Sequence, residues 1–135
     1  MRTVKPRTHL SADQSLCGSP LELGDGKASV ALDTTDRMAV DEQGLVHGGF
    51  LFGLADYAAM LAVNEPNVVL AGAQSRFLKP VKRGDRAVAH ARTVATEGRK
   101  HEVVVDVSVG STRVFEGTFT CFVLGHHVLE GMGSE

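Results

Sequence analysis

Cysteine is scarce: the 135 residues hold two, Cys17 and Cys121, too few and too far apart for a disulfide framework. Neither sits in a C-x-x-C pair or in a Cys/His spacing suited to zinc, so no metal is expected. Cys121 lies in an apolar strand pattern and reads as a buried free thiol. An excess of one charge is also missing. Fourteen Lys+Arg against sixteen Asp+Glu leave a formal net charge of -2, which gives no general pull towards nucleic acid or anionic lipid. The first residues carry Arg2, Lys5 and Arg7 without the apolar stretch of a signal peptide. No apolar run is long enough to span a bilayer. A cytoplasmic protein without membrane or nucleic-acid partners is the expectation. Gly24-Asp25-Gly26 lacks the third glycine and following helix of a dinucleotide fingerprint, and no internal repeat is present.

What remains is a chain of ordinary composition, 43% hydrophobic, sized for one domain. Residues 1–15 are polar and without period and read as a flexible arm. A domain is expected over 16–125, and a polar, glycine-containing tail over 126–135. Ser19–Gly24 and Lys27–Asp33 read as strands around a tight turn. Later come four more: Val68–Leu78, Arg86–Thr96, His101–Val109 and Arg113–Leu124. Val103, Val105, Val107 and Val109 alternate onto one face, as do Phe115, Phe119, Cys121 and Val123.

Between these groups Gly48 to Asn64 reads GGFLFGLADYAAMLAVN, a helix ended by Pro66. It is apolar nearly all round and must be buried nearly all round. A curved antiparallel sheet wrapped around one central helix, an α+β architecture with remaining surfaces closed by a second subunit, meets that demand. Asp56 is the only formally charged residue of this run. Burying an unpaired carboxylate costs several kcal/mol or raises its pKa, so Asp56 needs either a structural hydrogen bond or a chemical task. Gly48-Gly49 at the helix start present free N–H groups and the positive end of the dipole, suited to a developing oxyanion. At about 1.5 Å per residue, Gly48 and Asp56 lie about 12 Å apart along one helix. To serve one site they must come from two antiparallel copies.

His47-Gly48-Gly49, then six residues, then Asp56 in a Leu-Ala-Asp context, resembles the hotdog-fold acyl-CoA thioesterases, in particular the subgroup like the phenylacetate-pathway thioesterase. Ser75-Arg76-Phe77-Leu78-Lys79-Pro80 with Gly84-Asp85 is similar to that family's strand and turn after the helix. The resemblance implies a hotdog fold and a homodimer, or a dimer of dimers, that hydrolyses acyl-CoA with no resident cofactor. It implies Asp56 as general base or nucleophile, Gly48 as the backbone donor to the thioester carbonyl from the opposite subunit, and His47 as a residue lining and orienting the site. Gly49 and Asp41 fall in the same stretch. The family often has Asn where this chain has Asp41; Asn donates a hydrogen bond and an ionised Asp only accepts. Ser75 is the nearest counterpart of a hydroxyl that some members supply. Lys79, Lys82, Arg83 and Arg86 form a basic cluster for CoA phosphates, with Arg76 on the preceding strand and Arg99 and Lys100 in a hairpin loop as further substrate-binding candidates.

Two other readings stand beside hydrolysis. One is a non-catalytic acyl-CoA-binding sensor module, for which a buried base has no evident use. The other is an acyl thioester hydratase or dehydratase, whose Asp-x4-His pairing is absent, since Asp41 and His47 are six apart.

Overall fold

The computed structural model describes residues 4–131. Six strands, β1 (Ser19–Gly24), β2 (Lys27–Asp33), β3 (Val68–Phe77), β4 (Arg86–Glu97), β5 (Lys100–Val109) and β6 (Thr112–Val123), form one antiparallel sheet in the order β1-β2-β4-β5-β6-β3. The sheet wraps the central helix α2 (Gly48–Val63). This is the hotdog fold expected from the sequence. Each strand boundary lies within one residue of its expected position, because glycine turns punctuate them: Gly98 and Gly110, both at φ 60, close the β4–β5 and β5–β6 hairpins in a backbone region that glycine enters freely.

The helix is buried on most sides, through Leu51, Leu54, Ala55, Tyr57 and the run from Ala58 to Ala62. It packs against β4, whose buried positions Ala87, Ala89 and Ala91 are small, which suits a close approach of helix and sheet. Larger chains (Val30, Leu32, Val103, Val107, Phe115, Phe119) fill the flanks. Cys121 is buried and free, as expected, and burial pushes its thiol up to about 12.

The segment expected as a flexible arm carries specific contacts from residue 4 onward; residues 1–3 lie outside the described residues. Asn64 ends α2 in the left-handed conformation, φ 53 and ψ 45. Its Oδ1 accepts from the Arg7 N–H at 2.7 Å and its Nδ2 donates to the Lys5 carbonyl at 2.9 Å. Thr8 is buried, and the His9 ring lies 6.3 Å from that of Tyr57. A one-turn helix, α1 (Gln14–Cys17), follows, capped by Asp13, whose carboxylate accepts from the Ser15 N–H. Part of the helix surface assigned to a second subunit is therefore covered by the chain's own start. Asn64→Gly keeps the left-handed residue but removes this tie, and is expected to cost about 1–2 kcal/mol and to speed proteolysis within residues 5–13 in a limited-digestion time course. Of the tail, a 3-10 turn spans Val128–Gly131, and residues 132–135 lie outside the described residues. No helix among the described residues is long and apolar enough to cross a membrane.

The sheet has two edges, β1 and β3. β3 is ten residues long, exposed from Ala71 to Phe77, and carries one charge, Arg76. Proteins normally defend so long an edge with charges, proline or a cover.

Candidate active site

The start of α2 is held by its neighbours. The Val46 N–H donates to the Val81 carbonyl at 2.8 Å and the His47 N–H to Met38 at 2.9 Å. His47 is the N-cap, with φ -61 and ψ 130, and its Nδ1 accepts from the Gly49 N–H at 2.7 Å. A backbone N–H can only donate, so Nδ1 is the acceptor and a neutral ring carries its proton on Nε2. One of the two glycine donors expected to be free is thus engaged by the cap. The Gly48 N–H has no hydrogen-bond partner among the described residues. Close approach explains both glycines. A Cβ on Gly49 would stand 2.8 Å from His47 Nδ1, and one on Gly48 would stand 3.0 Å from the Phe77 ring.

Asp56 lies two turns further on, beside Phe52 and Gly53 on a face that the fold leaves partly open. Its Oδ1 is buried without a hydrogen-bond partner among the described residues. Burial pushes its carboxyl from 3.8 up to about 6. The Cys17 thiol is raised by burial, then by the Asp13 and Asp56 charges, and the Cys121 thiol by burial, then by the Asp56 and Glu102 charges. A structural hydrogen bond, the bland explanation for this aspartate, is absent within the described residues.

The remaining expected residues fall in several places. Asp41 is exposed and its Oδ1 accepts from the Leu45 N–H at 3.1 Å, closing the turn before the helix. Ser75 and Arg76 are exposed on β3; Arg76 lies 3.8 Å from Glu116. In the β3–β4 loop Arg83 pairs with Asp36 at 3.5 Å, and at the start of β4 Arg86 pairs with Asp33 at 3.1 Å. Lys79 and Lys82 make no ion pair among the described residues. Lys100 pairs with Glu102 at 3.8 Å. Arg99 sits at the opposite end of β4 from Arg86, about 35 Å away at about 3.3 Å per residue, so one subunit does not bring it into the basic cluster.

Beside Gly48 opens a slot of about 270 Å³, walled by Leu45, Leu51, Phe77, Leu78, Val81 and Val114. Two of these walls, Phe77 and Leu78, lie in the Ser75–Pro80 stretch, where nothing in the sequence marks them as lining a cavity. A larger concavity of about 1130 Å³ spreads across the sheet around His90, Asp106, Arg113 and Glu116. It contains neither Asp56 nor the helix start, and Arg76, Asp106, Arg113 and Glu116 within it pair with one another.

Residues 43–116 match the family model of the thioesterase superfamily. The uncharacterized protein PH1136 from Pyrococcus horikoshii is 54% identical, with a TM-score of 0.94 over 96% of this chain and 99% of that one. A mutant of the phenylacetic acid degradation protein PaaI from Thermus thermophilus is 32% identical, with a TM-score of 0.75 over 82% of this chain and 96% of that one. The transcription factor FapR of Bacillus subtilis is 32% identical over 108 residues, 78% of this chain and 57% of FapR. The chain spans only part of the curated relatives it matches, down to 26% of a methylthioribose-1-phosphate isomerase from Aquifex aeolicus that is 52% identical over 119 residues, 87% of this chain. Fold, motif and family model agree: the chain belongs to the hotdog thioesterase superfamily.

Proposed function

We propose that the protein is an acyl-CoA thioesterase working as a homodimer, with Asp56 of one subunit and the Gly48 N–H of the other at each site. The observation that carries this reading is the buried, unpartnered Asp56 oxygen with its raised pKa. At neutral pH such a group is ionised, poorly solvated and ready to take a proton. In the base route Asp56 takes a proton from water as the hydroxide oxygen adds to the thioester carbon. The partner's Gly48 N–H receives the charge that develops on the carbonyl oxygen. The C–S bond then breaks and the proton on Asp56 passes to the leaving thiolate. In the nucleophile route Asp56 attacks the same carbon, the C–S bond breaks and CoA leaves as the thiolate, and water then cleaves the mixed anhydride to release the acid and restore Asp56. His47 presents Nε2–H at the rim, and Lys79 and Lys82 offer charge to CoA phosphates.

The test is thiol release from a panel of acyl-CoAs by wild type and Asp56→Asn. Hydrolysis by wild type, lost in a folded variant, supports the assignment; equal rates in both sink it. Similarity to FapR favours a second reading, a binding module without turnover. That reading takes over if no acyl-CoA is hydrolysed but one binds in calorimetry.

The undefended β3 edge is the proposed dimer seam. The Leu78 N–H donates to the Val114 carbonyl, and alternation along the strand then points the N–H of residues 76 and 74 at β6 and those of 75 and 73 at the free edge. Ala73→Pro is expected to give a folded monomer and Gln74→Pro an unfolded chain, because only the second breaks a bond within the subunit. Light scattering with circular dichroism separates the two; an Ala73→Pro protein that stays dimeric overturns this seam.

A further inference from the structure

We propose that the slot beside Gly48 is the acyl-tail subsite, sized for a straight chain of about six to nine carbons. The inference rests on the thioesterase reading for the position of the carbonyl, and on the slot itself for the tail. Gly48 lines the slot while its N–H stands free, so a carbonyl held there sends one of its two substituents into the opening. The walls decide which. Leu45, Leu51, Phe77, Val81 and Val114 offer no hydrogen-bonding side chain, and Lys79 is the only polar side chain at the slot. The amides and hydroxyl of a pantetheine arm would be buried there without partners, at a cost that an alkyl chain does not meet. Leu45 is 42% exposed, a large apolar wall that faces solvent until an apolar occupant covers it.

Volume sets the length. A methylene takes up about as much room as a water molecule, about 30 Å³, so a slot of about 270 Å³ filled to ordinary ligand density takes about six to nine carbons. The Phe77 ring lines the slot next to Gly48. It packs edge-on against Phe115, centroids 5.1 Å apart, so one side of the ring rests on the core while the other stays exposed.

The test uses chain length as the ruler, in wild type and Leu45→Trp. Leu45 is half-exposed at the mouth, so the larger ring fills the slot without entering the core; Val114→Phe, which fills it from the floor, is the second variant. One readout is the ratio of octanoyl-CoA to acetyl-CoA kcat/KM. The other is calorimetric binding of S-octyl-CoA and S-ethyl-CoA, thioethers that cannot be hydrolysed. Each added methylene is expected to tighten wild-type binding by about three- to fourfold, with a plateau beyond about nine carbons. Leu45→Trp is expected to lower both the octanoyl preference and the octyl preference at least tenfold. Hydrolysis that is indifferent to chain length in both proteins overturns the slot and leaves the thioesterase reading intact. Chain-length-dependent binding without any hydrolysis keeps the slot and removes the enzyme. A preference that survives both Leu45→Trp and Val114→Phe places the tail elsewhere and overturns the proposal.

Discussion

Asp56→Asn is expected to give a protein that is more stable at pH 8 and about a thousandfold or more slower. The two effects share one cause. Burial raises the Asp56 carboxyl from 3.8 to about 6, so the folded state holds the proton more tightly than the unfolded chain does. Below pH 4 the carboxyl is protonated in both states and burial carries no electrostatic penalty. Between pH 4 and 6 the unfolded chain releases its proton first, and stability falls as pH rises. Above pH 6 the full penalty applies. At about 1.4 kcal/mol per unit it reaches about 3 kcal/mol. An amide has no charge to desolvate but inherits the orphaned position, which returns part of the gain. A net stabilisation of about 1–2 kcal/mol is expected at pH 8, a Tm rise of roughly 4–7 °C for a domain of this size, shrinking towards zero at pH 4. Thermal melts of both proteins at the two pH values check it; a variant less stable at pH 8 would show that the carboxylate is satisfied by a partner. Wild-type kcat/KM should rise with pH through a half-point near 6, the ionisation of the base, and then level off. The stability lost by keeping Asp at position 56 is then the cost of holding a base ready.

The sheet and the helix were legible because their signals are local and repeated. Val103, Val105 and Val107 alternate without interruption, and GLADYAAMLA has no polar face to expose. Asp41 was not decided by residue type: its carboxylate accepts from the Leu45 N–H four residues on, a bond that an aspartate in such a stretch can make or forgo. The arm was not legible. Its anchoring lies in backbone groups of Lys5 and Arg7 bonded to Asn64, almost sixty residues on, and apolar periodicity carries no record of such bonds. The engagement of the Gly49 N–H depends on the His47 ring turning back over the helix, a choice of side-chain conformation that motif spacing does not encode. Phe77 was visible only as one residue of an edge strand. Its place against Gly48 follows from the β3–β6 register and from the way β3 runs back along α2. The basic residues show the converse: Arg86 opens β4 and Arg99 lies in the hairpin loop beyond its far end, so shared charge did not mean a shared place.

The division of the site between subunits makes a second expected result as sharp as the first. Gly48→Pro removes the one unengaged N–H at the helix start and little else. Proline is well tolerated at the first helical position, and His47 already has the extended backbone that precedes it. Its ring must push the exposed Phe77 side chain aside, so Gly48→Ala, which makes the same demand but keeps the N–H, is the steric control. The loss of one oxyanion donor lowers kcat by about a hundred- to a thousandfold, and Gly48→Ala should retain most of what Gly48→Pro loses. Gly48→Pro and Asp56→Asn homodimers each carry a lesion in both sites. In a mixed dimer both lesions fall in the same site, because each site takes its Gly48 from one chain and its Asp56 from the other, and the second site is intact. Co-expression with two different affinity tags and tandem purification isolates that species. It is expected to recover about half of the wild-type dimer's activity from two inactive parents. If one helix supplied both groups, every site in the mixed dimer would be damaged and no activity would return. The 12 Å that eight helical residues put between Gly48 and Asp56 already weighs against that outcome, and the mixed dimer converts the distance into a rate.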